Sequence, residues 1–183
     1  MHGNGQSDSA GLVVVGVDGS PGAREALRWA AAEARLRRAR LRIVHAWTFG
    51  YPGAGGGGYG YPYIGGSVDT LPGAGLNDLR EAAEGLLEHV IADAAAETDG
   101  LEIEPWLVEG SAGDVLVHAV TDSDLLVVGS RGHGGFAGLL LGSVSQQCAH
   151  HAPCPVVIVR TSKSSARGSR SASAAQPASA SSV

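Results

Sequence analysis

Residues 129–147, GSRGHGGFAGLLLGSVSQQ, set six glycines around Arg131, His133 and three serines. Glycine is costly to order, so such density implies that backbone must come close to something. The charge pattern agrees: from Leu125 to the C-terminus there is no Asp or Glu. A helix predicted to begin near Gly142-Ser143 offers free amides and a positive dipole end. Arg131 and His133 add positive charge, and Ser143 and Ser145 add hydroxyls. Together these residues describe a phosphate cradle, in which Gly129, Gly132 and Gly142 supply bare backbone or left-handed geometry.

The known phosphate motifs narrow the ligand. Gly-x-x-x-x-Gly-Lys-Ser/Thr is absent, which excludes a P-loop NTPase. GHGGFA (132–137) matches Gly-x-Gly-x-x-Gly/Ala, but the acid that a dinucleotide fold needs about 20 residues later does not exist. No Gly-x-Ser-x-Gly elbow supports a hydrolase. Cys148, His150, His151 and Cys154 lack the Cys-x-x-Cys spacing of a zinc site, and a structural role is expected for them.

The elements that would position this cradle follow from periodicity. LVVVGV (12–17), LRIVHAW (41–47), LEIEPWLV (101–108), LLVVGS (125–130) and PVVIV (155–159) are apolar, β-branched strand candidates. Pro105 restricts the third of them to an edge or a bulge. Ser20-Pro21 opens a helix with a capping hydroxyl and an N1 proline, and Ala23, Ala26, Leu27, Ala30 and Ala34 form its packing face. A second helix runs from Leu76, a third opens at Ser111 with Asp114 in its first turn, and a fourth follows the glycine stretch. The basic run RLRRARLR (35–42) is expected to be a solvated helix end rather than a nucleic-acid patch. Strands alternating with helices predict an α/β fold, a five-stranded parallel open sheet with helices on both faces. Ligands of such sheets bind beyond the carboxyl ends of the strands, where winding reverses.

Composition bounds the rest. With 183 residues, 44% hydrophobic and 17% charged, the chain suits one domain over residues 11–160 with extensions. Residues 1–10 and the basic, Ser/Ala-rich 161–183 are expected to be disordered. Residues 50–75 hold eleven glycines and all four tyrosines, and are expected to form a loop insertion or lid. Net charge of −5 argues against nucleic acid as partner. The polar start MHGNGQSDSA, two cysteines and no apolar run of membrane length predict a cytoplasmic protein without a membrane partner.

In their order and spacing, GVDGS (16–20), VHAW (44–47), VVGSRGHGG (127–135), LLGSVS (140–145) and CPVVIVR (154–160) resemble the universal stress protein family, in its ATP-binding branch. The resemblance covers roughly residues 11–160. It implies ATP, with Mg as its companion ion, bound by a regulatory or stress-response protein whose nucleotide state a downstream protein would read. Slow ATP hydrolysis is the alternative. It also implies that Asp18, beside Gly16 and Val17, meets the ribose or a phosphate-bound metal; a turn-forming role for an Asp before Gly stays open. Ala46 and Gly110 would meet adenine. Val128, Gly129, Ser130, Arg131, Gly132 and His133 would line ribose and phosphates. Gly142, Ser143, Val144 and Ser145 would complete the phosphate end. A homodimer through the last strand is implied as well, since PVVIV would otherwise be an open edge.

Overall fold

A computed structural model describes residues 11–48, 76–122, 124–133 and 140–161. The expectations for 1–10, 50–75 and 162–183 lie outside the described residues. Ten elements alternate: β1 (Leu12–Gly16), α1 (Pro21–Arg37), β2 (Arg40–Trp47), α2 (Leu76–Asp93), α3 (Ala95–Thr98), β3 (Ile103–Glu109), α4 (Ala112–His118), β4 (Leu125–Gly129), α5 (Ser143–His151) and β5 (Val156–Val159). The strands form one parallel sheet in the order β3-β2-β1-β4-β5. The chain therefore winds outward from β1 to β3, returns beside β1 as β4, and winds the other way. The reversal falls between β1 and β4.

Successive strand residues point to opposite faces, and each face has its own core. Val13 and Val15 of β1, Leu41 and Ile43 of β2, and Leu125 and Val127 of β4 pack with the alanines of α1 and with Leu87 and Val90 of α2. Leu12, Val14, Val44, Leu126 and Val128 pack on the other face with Leu116 of α4 and Cys148 of α5. Ala23, Ala26, Ala30, Ala31 and Ala34 are all buried. Their small side chains let α1 lie close against the strands. Cys148 faces this core, while His150 and His151 stand on the exposed side of α5.

The second predicted helix ends at Asp93, and the one-turn α3 that follows is tied by the Thr98 hydroxyl, which donates to the Ala94 carbonyl at 2.8 Å. β3 starts at Ile103 rather than at Leu101, because Gly100 (φ 73°) and the Leu101 N–H bonded to the Thr98 carbonyl hold a turn first. Pro105 sits on this edge strand, paired in register with Ile43. The Leu41 N–H reaches the Glu102 carbonyl and the Gly110 N–H reaches the Trp47 carbonyl, so even-numbered residues of β3 face β2. Pro105 faces outward, and its missing N–H costs the ladder nothing.

The basic run divides. Arg35, Arg37 and Arg38 are exposed at the end of α1, as expected of a solvated helix end. Arg42 instead lies under α4. Its guanidinium stacks 3.7 Å from the Trp106 ring centroid, pairs with Glu104 at 3.1 Å, and donates to the Ala119 carbonyl at 3.0 Å. It thereby caps the C-terminal end of α4.

Candidate functional site

The crevice at the winding reversal is built from the two loops that leave β1 and β4. These strands end side by side, with Val15 opposite Val127. After β1 the chain passes Val17 and Asp18 and turns at Gly19, whose φ of 80° requires glycine. It enters α1 at Ser20, whose Oγ accepts the Ala23 N–H at 3.2 Å. Pro21 follows with no N–H to offer. The N-terminus of α1 is thus capped by its own residues, with the Gly22 N–H alone left without a partner among the described residues.

Asp18 joins the two loops. Its Oδ1 accepts the Ser20 N–H at 3.0 Å, a turn-forming bond within its own loop. Its Oδ2 accepts the backbone N–H of His133 at 3.3 Å, on the loop after β4. Three glycines allow this approach. A Cβ on Gly132 would lie 2.2 Å from Asp18 Oδ2, one on Gly22 would lie 2.5 Å from the Arg131 carbonyl oxygen, and one on Gly129 would lie 2.9 Å from the Gly22 backbone. None of Gly129, Gly132 and Gly142 is left-handed, contrary to that part of the expectation. Gly129 and Gly132 serve loop-to-loop packing instead.

The N-terminus of α5 is open. Its N-cap is Gly142 (φ −82°), no side chain caps it, and its first turn holds no acid. The Gly142 N–H is taken by the Ser130 carbonyl at 2.8 Å, and the Gln146 N–H by the Gly142 carbonyl. Between them, the N–H groups of Ser143, Val144 and Ser145 have no partner among the described residues. Of the two helix ends, α5 presents three such amides to an anion, whereas α1 leaves only the Gly22 N–H without a partner among the described residues. Arg131, Gly132 and His133 are exposed beside it.

The structure brings the expected residues to one end of the sheet, with differing capacities. Gly16 ends β1 against α4, where a Cβ would meet Leu116 Cδ1 at 2.7 Å. Val17 and Val128 are buried, the first with its N–H held by Val44 and its carbonyl by His45, the second within the β4–β5 ladder, while Val144 leans on the second core and offers backbone alone. Ser130 is buried, and its N–H donates to the Val159 carbonyl at 2.7 Å. Ser145 is 2% exposed, with Oγ 2.9 Å from the Gly142 carbonyl and 3.2 Å from that of Ser130. Its hydroxyl clamps α5 to the end of β4 rather than facing the crevice. Ser143 is exposed at the helix start. Ala46 is half-buried near the end of β2, and Gly110 follows β3 with φ 150°. A separate cleft of about 380 Å³ lies at the other end of the sheet, lined by Arg35, Arg38, Arg40 and Glu102. Within it Arg40 pairs with Glu104 and Arg35 donates to the Asp99 carbonyl.

Sequence reasoning passed over His45. It is 2% exposed, and its Nδ1 lies 2.8 Å from the carbonyl of Val17, the residue before Asp18. Burial holds its pKa below the ordinary 6.5. A histidine inside the apolar run LRIVHAW was the available signal.

A sequence profile of the universal stress protein family matches residues 11–160. The chain belongs to that family. It is 30% identical over 165 residues to a universal stress protein of Mycolicibacterium smegmatis, covering 86% of this chain and 51% of that one. It is 33% identical over 151 residues to one of Mycobacterium tuberculosis, covering 80% of this chain and 46% of that one. The chain thus spans about half the length of these curated relatives. Among solved structures, a universal stress protein in complex with cAMP is 28% identical with a TM-score of 0.58, over 84% of this chain and 99% of that one. A universal stress protein from Archaeoglobus fulgidus is 27% identical with a TM-score of 0.55, over 81% and 97%.

Proposed function

We propose that this protein binds an adenine nucleotide, ATP above all, in the crevice between Asp18 and the N-terminus of α5, and acts as a nucleotide-dependent regulatory protein. The observation that carries the reading is the asymmetry of the two helix ends. α1 is capped by Ser20 and Pro21 and leaves one amide, that of Gly22, whereas α5 offers three amides unpaired among the described residues, beside Arg131 and with no acid in its own first turn. The cAMP held by the similar structure supports the adenine nucleotide as ligand. Phosphates belong at Gly142–Ser145 and Arg131, the ribose near Asp18 and Gly129, and the base toward Ala46 and Gly110.

Mg fits this site as a companion of the phosphates. No three of His, Cys, Asp and Glu cluster among the described residues, so phosphate oxygens and water would supply most ligands and Asp18 the carboxylate. Residues 11–160 form the nucleotide-binding domain in this reading. No described helix is long and apolar enough to cross a membrane; a cytoplasmic location belongs to the proposal. Among the described residues no strand lies beyond β5, and its four residues are each half-buried. Such an edge is a template for a second copy, and a homodimer through β5 belongs to the proposal. The test is mass spectrometry of the nucleotide released when the purified protein is denatured. ATP or another adenine nucleotide is expected; a flavin would overturn the reading.

A further inference from the structure

His45 engages one ring nitrogen and buries the other. A carbonyl only accepts, so Nδ1 carries the proton donated to Val17, and Nε2 is a bare acceptor. That acceptor is buried without a hydrogen-bond partner among the described residues. An apolar side chain would fill the position without this defect, because a buried polar atom left unpaired is destabilising. The imidazole must therefore do something that packing does not require.

The β1–β2 ladder shows what it does. The Val17 N–H donates to the Val44 carbonyl at 2.9 Å, and the registered pairs end at Gly16–Val44. In a parallel ladder the next bond would carry the Ala46 N–H to the Val17 carbonyl. That bond is not made, and the Val17 carbonyl is held by His45 instead. His45 and Trp47 turn their backbone groups toward β3, where the Trp47 carbonyl accepts the Gly110 N–H. Ala46 turns its N–H and C=O the other way, toward the departing β1, and neither has a partner among the described residues.

We propose that His45 is a positioning residue for the purine: by holding the Val17 carbonyl it stops the ladder one bond early and leaves Ala46 as an open donor–acceptor pair for the edge of adenine. The ring N1 of adenine accepts from an N–H, and its exocyclic amine donates to a carbonyl. The same contact steadies the peptide that leads into Asp18. The proposal rests on the nucleotide reading above and adds the device that keeps its base subsite open.

Calorimetric titration of the full chain with AMP and with ribose 5-phosphate, which lacks the base, tests it. In His45→Phe the affinity for AMP falls about ten- to hundredfold, as for two hydrogen bonds, while ribose 5-phosphate moves less than about twofold. His45→Asn, whose amide N–H can stand where Nδ1–H stood, keeps AMP binding within about threefold of wild type. A folded His45→Phe that binds AMP as wild type does, or that loses both ligands alike, overturns the proposal. If His45→Phe does not fold, amide exchange of the wild-type protein decides. The Ala46 amide exchanges freely without nucleotide and is protected by AMP; protection equal to that of Val44 before AMP is added overturns the proposal. Wild-type protein that binds neither AMP nor ATP sinks the nucleotide reading itself, a result distinct from any His45 phenotype.

Discussion

Asp18 Oδ2 and the backbone N–H of His133 meet at 3.3 Å across 115 positions of sequence, and this bond closes the base of the crevice. It joins the loops on either side of the winding reversal. The same carboxylate turns its other oxygen to Ser20 and so shapes the entry to α1. Asp18 is thus both a turn residue and a bridge.

Replacing Asp18 by alanine removes both bonds and the charge. ATP affinity is expected to fall by about 1.5–3 kcal/mol, as for a charged hydrogen bond. Asp18→Asn keeps the steric shape and one acceptor oxygen, so it should retain more of the fold's stability than of the Mg-dependent part of binding. Titrations with and without Mg separate the two; wild-type affinity in Asp18→Ala would leave only the turn-forming role.

Gly132 is the tightest of the interlocked glycines. A methyl group there meets Asp18 Oδ2 at 2.2 Å, so Gly132→Ala must push the carboxylate away from His133. Destabilisation of about 1–3 kcal/mol is expected from the overpacking, together with weaker nucleotide binding. Urea denaturation and calorimetry on one sample check both, and an unchanged variant would show that the loops are not locked as described.

Two buried groups make stability depend on pH in opposite directions. Burial depresses the His45 pKa, so below the ordinary 6.5 the unfolded chain takes up a proton that the folded chain resists. Stability falls as pH drops below that value. Burial pushes the Cys148 thiol from 9.0 up to about 11, so above 9.0 the unfolded chain releases a proton that the folded chain keeps. Stability is lost as pH rises through that window. Cys148→Ala should lower stability at neutral pH yet flatten the alkaline limb, as denaturant midpoints across pH would record.

The β5 edge predicts a dimer at micromolar concentration. Val157 and Val159 lean on the core beneath α1, and Val156 and Ile158 on the core beneath α5. Because all four remain half-buried, Val157→Lys can carry its charge to the rim by its flexible stem. Light scattering should report a dimer for wild type and a folded monomer for Val157→Lys. A wild-type monomer would contradict the assembly and leave the nucleotide site untouched.

Much of this fold is legible in five apolar strand runs and in Ser20-Pro21, because burial on both faces and helix capping leave local marks. The clustering of Asp18, Gly129–Gly132 and Gly142 at one end of the sheet follows from strand order. Contacts that depend on two distant segments leave no such mark. The Gly132–Asp18 and Gly129–Gly22 approaches give two glycines a packing reason that composition alone does not reveal. Ser145 looks like a phosphate donor in LLGSVS, yet its hydroxyl is spent on two carbonyls beneath the helix. Arg42 belongs by sequence to a solvated basic run, but the alternation of β2 turns it under α4 against Trp106.

Gly142 offers the most direct test of the central claim. Its backbone is ordinary (φ −82°), and a Cβ would lie 3.6 Å from its nearest neighbours, an easy contact. Among the described residues nothing comes closer than that to a Cβ there, so a side chain should trouble chiefly a ligand seated on the amides of α5. Calorimetric titration of ATP into wild type and Gly142→Val, with melting temperatures for both, is the measurement. The account predicts binding by wild type, a loss of at least about tenfold in the variant, and similar melting temperatures. Wild-type affinity in a folded Gly142→Val would contradict it.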